Sequence, residues 1–184
     1  MIGTQERNMP HERIIFSGAG GQGLMFIGKL FARTALDIFP HITFIPSYGA
    51  EMRGGTSNCR IILSHEEIAS PIVEQADSIL AMNQPSVDRF LPMLAPGGTA
   101  VLNSSMAVAP ENMNAVEVPA TEWAQEAGDI RAANVIMLGA YVRVKSFFDL
   151  DKILGEIVSA SSEKGKKAVN TNKSAFLKGW NSLD

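Results

Sequence analysis

Short all-apolar runs along the chain alternate with stretches whose apolar residues recur every three or four positions, the pattern of buried strands interleaved with amphipathic helices. The first run, Arg13 to Ser17, holds Ile14, Ile15 and Phe16 and ends in a glycine cluster, which predicts a buried strand feeding a tight turn. Beyond the glycines, Ile27, Leu30, Phe31, Thr34, Ala35 and Ile38 share one helical face. Ile42 to Pro46 predicts a second strand. The segment from Ser47 to Gly55 carries Gly49, Gly54 and Gly55 without any apolar period and reads as a loop. In the third strand Cys59, Ile61 and Leu63 alternate with Asn58, Arg60 and Ile62, so one face is expected to be the more buried, and His65-Glu66-Glu67 closes it.

The run from Ser78 to Met82 is apolar after its first residue and predicts a central strand, with Asn83 and Pro85 opening a helix behind it. Val87, Phe90, Leu91 and Leu94 supply the inner face of that helix. Pro96-Gly97-Gly98 turns the chain into a further buried strand, Thr99 to Leu102, and Val116 to Val118 predicts a short one. Two later helices complete the pattern, Ala132 to Val144 and one starting near Asp149 with Ile153, Leu154, Ile157 and Val158 inward. The basic, serine-rich stretch Ser159 to Asn172 is expected to be the mobile part. Strands alternating with helices predict one α/β domain over residues 1–184, a three-layer α/β/α, Rossmann-like arrangement around a mainly parallel sheet. A short link between the second and third strands would make that sheet mixed by closing an antiparallel hairpin.

Composition narrows what such a domain does. With 46% apolar and 19% charged residues the chain is ordinary globular material, and a net charge of −3 gives no basis for nucleic-acid binding. Lys164, Lys166, Lys167, Lys173 and Lys178 make the C-terminal stretch locally basic and are read as solvated helix-face lysines without a function. Cys59 stands alone, which excludes an internal disulfide, a cysteine-ligated cluster and a multi-cysteine zinc site, and points to a reducing compartment. Met1 to Pro10 lacks the apolar stretch of a secretory signal, and no apolar run approaches the roughly 18 residues of a membrane span. The expected location is the cytoplasm, away from membranes.

Gly18-Ala-Gly20-Gly21-Gln22-Gly23 fits the pattern G-x-G-x-x-G in the place where it has meaning, between a strand and a helix. Glycines let a ligand approach the backbone, and the free N–H groups and positive end of the helix attract a phosphate. The same glycines also suit a turn that only packs strand against helix, and the pattern alone leaves both open. A dinucleotide enzyme needs an acidic residue at the end of the second strand; here Pro46-Ser47 stands there, and Glu51 is several residues too far on. Leu24 and Met25 replace the lysine and hydroxyl residue of an ATP-type phosphate loop. The loop Ser47-Tyr48-Gly49-Ala50-Glu51-Met52-Arg53-Gly54-Gly55 is the second concentration of unusual residues, at a strand end where ligands or partners are placed, although composition alone favours an exposed Glu51–Arg53 ion pair. His11, His41 and His65 are too scattered for a metal site, Cys59 reads as inert mid-strand packing, and Ser104-Ser105 lacks a nucleophile elbow.

Taken together, the strand-borne Phe16-Ser-Gly-Ala-Gly-Gly-Gln-Gly23 and Ser47-Tyr-Gly-Ala-Glu-Met-Arg-Gly-Gly55 resemble the gamma subunit of 2-oxoacid:ferredoxin oxidoreductases. Ala76-Asp77, Leu94-Ala-Pro-Gly-Gly98, Asn134 with Leu138-Gly139, and Asn172, Ala175 and Gly179 extend the resemblance over nearly the whole chain. It implies a complex in which thiamine-binding alpha and beta subunits and a ferredoxin-like subunit hold thiamine diphosphate, magnesium and iron–sulfur clusters. That complex oxidises a 2-oxoacid with coenzyme A (CoA) to acyl-CoA, carbon dioxide and reduced ferredoxin. The gamma chain would supply subunit interface and part of the CoA pocket, with no catalytic residue of its own. By this resemblance Gly18, Gly20, Gly21, Gln22 and Gly23 are backbone donors to a CoA phosphate, and Tyr48, Glu51, Arg53, Gly54 and Gly55 are interface or pocket residues. Ala50 stands where the family usually has proline. The look of the glycine turn ranks 2-oxoglutarate first as substrate, branched-chain 2-oxoacids second and pyruvate third. Two other readings are kept, an NAD(P)-dependent Rossmann oxidoreductase and a free-standing CoA- or nucleotide-binding module.

Overall fold

The computed structural model describes residues 11–48 and 56–183. Its centre is strand β1 (His11–Ala19), where Ile14, Ile15 and Phe16 are fully buried. β3 (Thr56–Ser64) lies antiparallel on one side of β1 and β4 (Ala76–Ala81) parallel on the other, so that Phe16 stands between Cys59 and Leu80. β2 (His41–Tyr48) pairs antiparallel with β3, and β5 (Leu94–Asn103) and β6 (Val116–Val118) continue in parallel beyond β4. The sheet order is β2-β3-β1-β4-β5-β6, with every strand except β3 pointing the same way. The expected α/β fold is present, and the short second link is indeed the antiparallel hairpin.

The helical layers are unequal. One face of the sheet carries α1 (Leu24–Ala35), α4 (Ala133–Lys145), α5 (Leu150–Ser161) and α6 (Lys166–Trp180), with α3 (Ala120–Glu126) at the β6 end. Phe16, Phe31 and Tyr141 meet edge to face there at centroid distances of 5.0 to 5.6 Å, the arrangement aromatic quadrupoles favour. The other face is covered by α2 (Gln84–Phe90) and loops around Ile15, Ile79, Val87 and Phe90. α4 is buried almost all round, which explains an apolar sequence without a polar face. It meets α6 backbone to backbone: a β-carbon on Gly179 would run into the Ile136 carbonyl oxygen, and one on Gly139 into that of Phe176.

A buried polar chain threads the other end of α4. Lys145 Nζ lies 2.6 Å from Glu12 Oε1, which also accepts from Ser78 Oγ at 3.0 Å, and the Tyr141 hydroxyl lies 2.6 Å from Ser78 Oγ. Burial, reinforced by the Glu12 charge, pushes the Tyr141 phenol well above its ordinary range, so it stays a hydrogen-bond donor. On the rim of the same sheet end, Arg13 holds Asp77 through paired contacts of 3.0 and 2.9 Å. Burial opposes ionisation of Asp77, yet the Arg13 hydrogen bonds and charge outweigh it and hold the carboxyl below its usual range.

One sequence expectation holds in part and several are corrected. β3 keeps the expected asymmetry, with Cys59, Ile61 and Leu63 fully buried and Arg60 on the other face half-buried, although Asn58 and Ile62 on that second face are covered as well. Leu94 belongs to β5 instead of α2. Pro96-Gly97-Gly98 is no separate turn but an irregularity inside β5, where the register with β4 shifts and Gly97 takes φ 76°. Ile38 lies past the end of α1. The helices α3 and α6 were not anticipated. Ser159 to Asn172, expected to be mobile, forms the end of α5, a 3-10 turn and the first half of α6. Asn172 Nδ2 donates to Ser161 Oγ at 2.8 Å, pinning the two helices together. Among the described residues no helix is long and apolar enough to cross a membrane.

The α4–α6 contact generates a direct expectation. Gly179→Ala forces the two backbones apart and should lower the stability of the chain by about 2–3 kcal/mol, read as a lower urea midpoint. An unchanged midpoint would contradict the close approach.

Candidate functional site

The carboxyl ends of the parallel strands share one edge of the sheet, and the glycine turn is built there. Gly18 is still within β1 and is buried; a β-carbon on it would come 2.5 Å from Gln22 Oε1 and 2.9 Å from Met82 Cβ. The missing side chain therefore lets the turn fold down against β4. Gln22 Oε1 accepts from the Ala19 N–H at 2.7 Å and from Asn83 Nδ2 at 3.4 Å, closing the turn and tying it to the start of α2. Gly21 and Gly23 take φ of 90° and 73°, the left-handed region that glycine enters without steric cost. Gly23 precedes α1, which has neither a side-chain cap nor an acidic residue in its first turn. The N–H groups at that helix start are left for an outside acceptor.

Gly21, Gln22 and Gly23 form one wall of an open cleft of about 500 Å³. The other walls come from parts of the chain far away in sequence: Asp129 and Arg131 before α4, Asn134 and Val135 on it, and Lys164, Lys167 and Asn172 around the start of α6. Asn134 Nδ2 donates to the Gly23 carbonyl at 3.0 Å and so fixes α4 to the turn. Its Oδ1 is buried without a hydrogen-bond partner, and the residue as a whole is 5% exposed. Lys164 Nζ lies 5.6 Å from the centre of the Phe26 ring, also in the lining, within cation–π range. α6 starts from Gly165 at φ 87°, again with no side-chain cap and no acidic residue in the first turn. Asp129, the one carboxylate of the lining, is engaged by Arg131 at 2.8 and 2.9 Å, contacts that hold its carboxyl below the usual range. Two uncapped helix starts and three cations thus face a cleft inside a chain of net charge −3. That electrostatic pattern suits a phosphate-bearing ligand.

Not every residue singled out by sequence reaches the cleft. Gly18 packs beneath the turn and Gly20 is exposed beside it; only Gly21, Gln22 and Gly23 of the pattern line the walls. Glu51, Arg53, Gly54 and Gly55 lie outside the described residues. The ends of their loop are placed: Tyr48 pairs with Ser57, and Ala19 with Thr56, so both sequence motifs meet at the same sheet edge. Lys164 and Lys167 are exposed, as the reading of solvated lysines expects, yet they border the same cleft as the turn, a placement the sequence did not suggest. Arg131 and the cleft role of Asn134 were equally missed. A basic cluster directly after a predicted helix was the available signal, but nothing local shows that α6 folds back across α4.

The topology also bears on dinucleotide binding. In a Rossmann sheet the strand beside β1 ends at the carboxyl edge and presents an acid to the ribose. Here β3 occupies that place and runs the other way, presenting its first residue, Thr56. Cys59 is fully buried, and burial pushes its thiol up to about 12, in keeping with inert packing. Among the described residues no group of histidine, cysteine or acidic side chains is arranged to hold a metal ion.

Comparison with known proteins agrees with the fold. The ketoisovalerate oxidoreductase subunit VorA of Methanothermobacter thermautotrophicus is 40% identical over 137 residues, 74% of this chain, which spans only 29% of VorA. The 2-oxoglutarate synthase subunit KorC of Methanocaldococcus jannaschii is 29% identical over 188 residues and matches 96% of each chain. The crystal structure of the keto/oxoacid ferredoxin oxidoreductase gamma subunit from Geobacter sulfurreducens superposes with a TM-score of 0.77 at 27% identity, over 94% of this chain and 96% of that one. The 2-oxoglutarate:ferredoxin oxidoreductase from Magnetococcus marinus, solved with 2-oxoglutarate, CoA and succinyl-CoA, shares the fold with a TM-score of 0.85 at 20% identity, over 96% of this chain and 32% of that one. The sequence matches the pyruvate ferredoxin/flavodoxin oxidoreductase family over residues 13–182, and the chain, which shares the fold of the Geobacter sulfurreducens gamma subunit, belongs to that family.

Proposed function

We propose that this chain is the gamma subunit of a thiamine-dependent 2-oxoacid:ferredoxin oxidoreductase and that its cleft receives the phosphates of CoA. The observation that carries the reading is the convergence of the glycine turn and the start of α6 on one cationic cleft. A diphosphate accepts hydrogen bonds from the N–H groups at the head of α1 and is countered by Arg131, Lys164 and Lys167. CoA is also among the molecules named in the Magnetococcus marinus complex. Tyr48 with the loop that carries Glu51, Arg53, Gly54 and Gly55 then belongs to the face that meets the thiamine-bearing alpha and beta subunits. Those partners and a ferredoxin-like subunit hold the thiamine diphosphate, magnesium and iron–sulfur clusters. This chain holds and orients the acyl acceptor.

For the oxoacid, the 40% identity to a ketoisovalerate subunit favours a branched-chain substrate and moves 2-oxoglutarate, supported by 29% identity over a fuller length, to second place. Reconstitution with the thiamine-bearing subunits tests this: CoA-dependent ferredoxin reduction should be faster with ketoisovalerate than with 2-oxoglutarate. The reverse order restores 2-oxoglutarate, and no CoA-dependent reduction with either overturns the assignment.

The cleft is tested on the chain itself. A β-carbon on Gly21 meets no protein atom within 4 Å, so Gly21→Val costs only the backbone strain of its positive φ, about 1–3 kcal/mol. The variant should fold, by circular dichroism, and lose about tenfold or more in CoA affinity by calorimetry, while NADH binds neither protein. CoA affinity equal to that of the parent chain, or micromolar NADH binding without CoA binding, would refute the placement.

A further inference from the structure

Arg60 is a cation of the sheet itself, and it does not line the cleft. On the face that carries α2, the cross-strand row Ile15, Arg60 and Ile45 runs over β1, β3 and β2. α2 packs against β1 and β4 there, and Ile15 is fully buried, whereas Arg60 is half-buried and Ile45 stays 37% exposed. Among the described residues the Arg60 guanidinium has no carboxylate partner, and its Nε is buried without an acceptor. A half-buried cation between two isoleucines loses hydration without gaining a partner, a cost that a carboxylate docked from outside removes. Arg89 of α2 reaches the same strip. Its Nη1 donates to Thr56 Oγ1 at 2.8 Å, and Thr56, Asn58 and Arg60 alternate onto one face of β3. Arg89 also has no carboxylate partner among the described residues, and the neighbouring Asp88 accepts from Gln84 instead.

We propose that this strip of the sheet, with Arg60, Arg89 and Ile45, is where a thiamine-bearing partner subunit lays an acidic segment, its carboxylates on the two arginines and an apolar side chain over Ile45. This rests on the gamma-subunit reading and extends its partner face from the loop after Tyr48 along the sheet. The strip begins at Thr56, where that loop has rejoined the sheet as β3. Charge complementarity selects the occupant. A second copy meeting the same strip across a two-fold axis would set arginines against arginines. A long polyanion is disfavoured by the net charge of −3.

The test is binding of the full chain to the thiamine-bearing subunits, measured by interferometry across a salt series. It compares the parent with the double variants Arg60→Met/Arg89→Met and Arg60→Lys/Arg89→Lys. The methionine variant should fold, by circular dichroism, and bind about tenfold or more weakly with a shallower salt dependence, while the lysine variant loses less and keeps the parent's salt slope. Parent affinity in the methionine variant would overturn the docking strip and leave the gamma-subunit reading standing. An equal loss in both variants would mark a packing role and overturn it too. Self-association of the parent chain that the methionine variant lacks would assign the strip to a second copy, against the proposal. If the methionine double variant does not fold, Arg89→Met alone, on the exposed side of α2, carries the test with an expected loss of about threefold, and no loss would overturn the strip. No binding by the parent chain would remove the gamma-subunit reading and the strip with it.

Discussion

The contact between α4 and α6 at Gly139 and Gly179 decides where everything else in the cleft falls. Because the two backbones touch, α6 cannot drift along α4, and its cationic head is delivered to the same sheet edge as the glycine turn. Asn134 completes the linkage by hydrogen bonding α4 to the Gly23 carbonyl, the oxygen that also receives the Phe26 and Ile27 N–H groups at the head of α1. Turn, α4 and α6 therefore form one rigid bracket. A ligand between them is met by backbone donors on one side and ammonium groups on the other, with little left to reorganise on binding.

Net charge is a poor guide to such a site. A balance of −3 argues against a long polyanion, which needs an extended basic face, and says nothing about a cleft where three cations and two helix heads converge. Arg131, Lys164 and Lys167 are themselves exposed, so their field on the cleft weakens as salt is raised. Asp129 offsets Arg131, to which it is bound, so the excess positive charge of the lining comes from Lys164 and Lys167.

The sequence patterns that read well are those set by local physics. Ile14 to Phe16 with its following glycines, and the 3.6-residue spacing of Ile27, Leu30, Phe31 and Thr34, report strand, turn and helix directly, and the structure has them. The alternation in β3 correctly marks Cys59, Ile61 and Leu63 as the more buried face, but it does not say how far the other face is covered; that depends on what packs over the sheet. α6 was missed because its polar, lysine-rich first half hides a narrow inner stripe of Ala175, Phe176 and Gly179. Its glycine looks like a helix breaker until α4 is laid against it. The cleft itself joins residues from near position 21 to near position 172, and only the tertiary bracket reveals that assembly.

The central claim, that an anionic ligand is held between the heads of α1 and α6, is tested most directly by amide proton–nitrogen NMR of the chain titrated with CoA. The largest shifts should fall on the backbone amides of Gly21, Gln22, Gly23, Asn134 and Lys167, and should fade as salt is raised. Shifts centred on the β2 edge, with the amides of Gly21 to Gly23 unmoved, would contradict it.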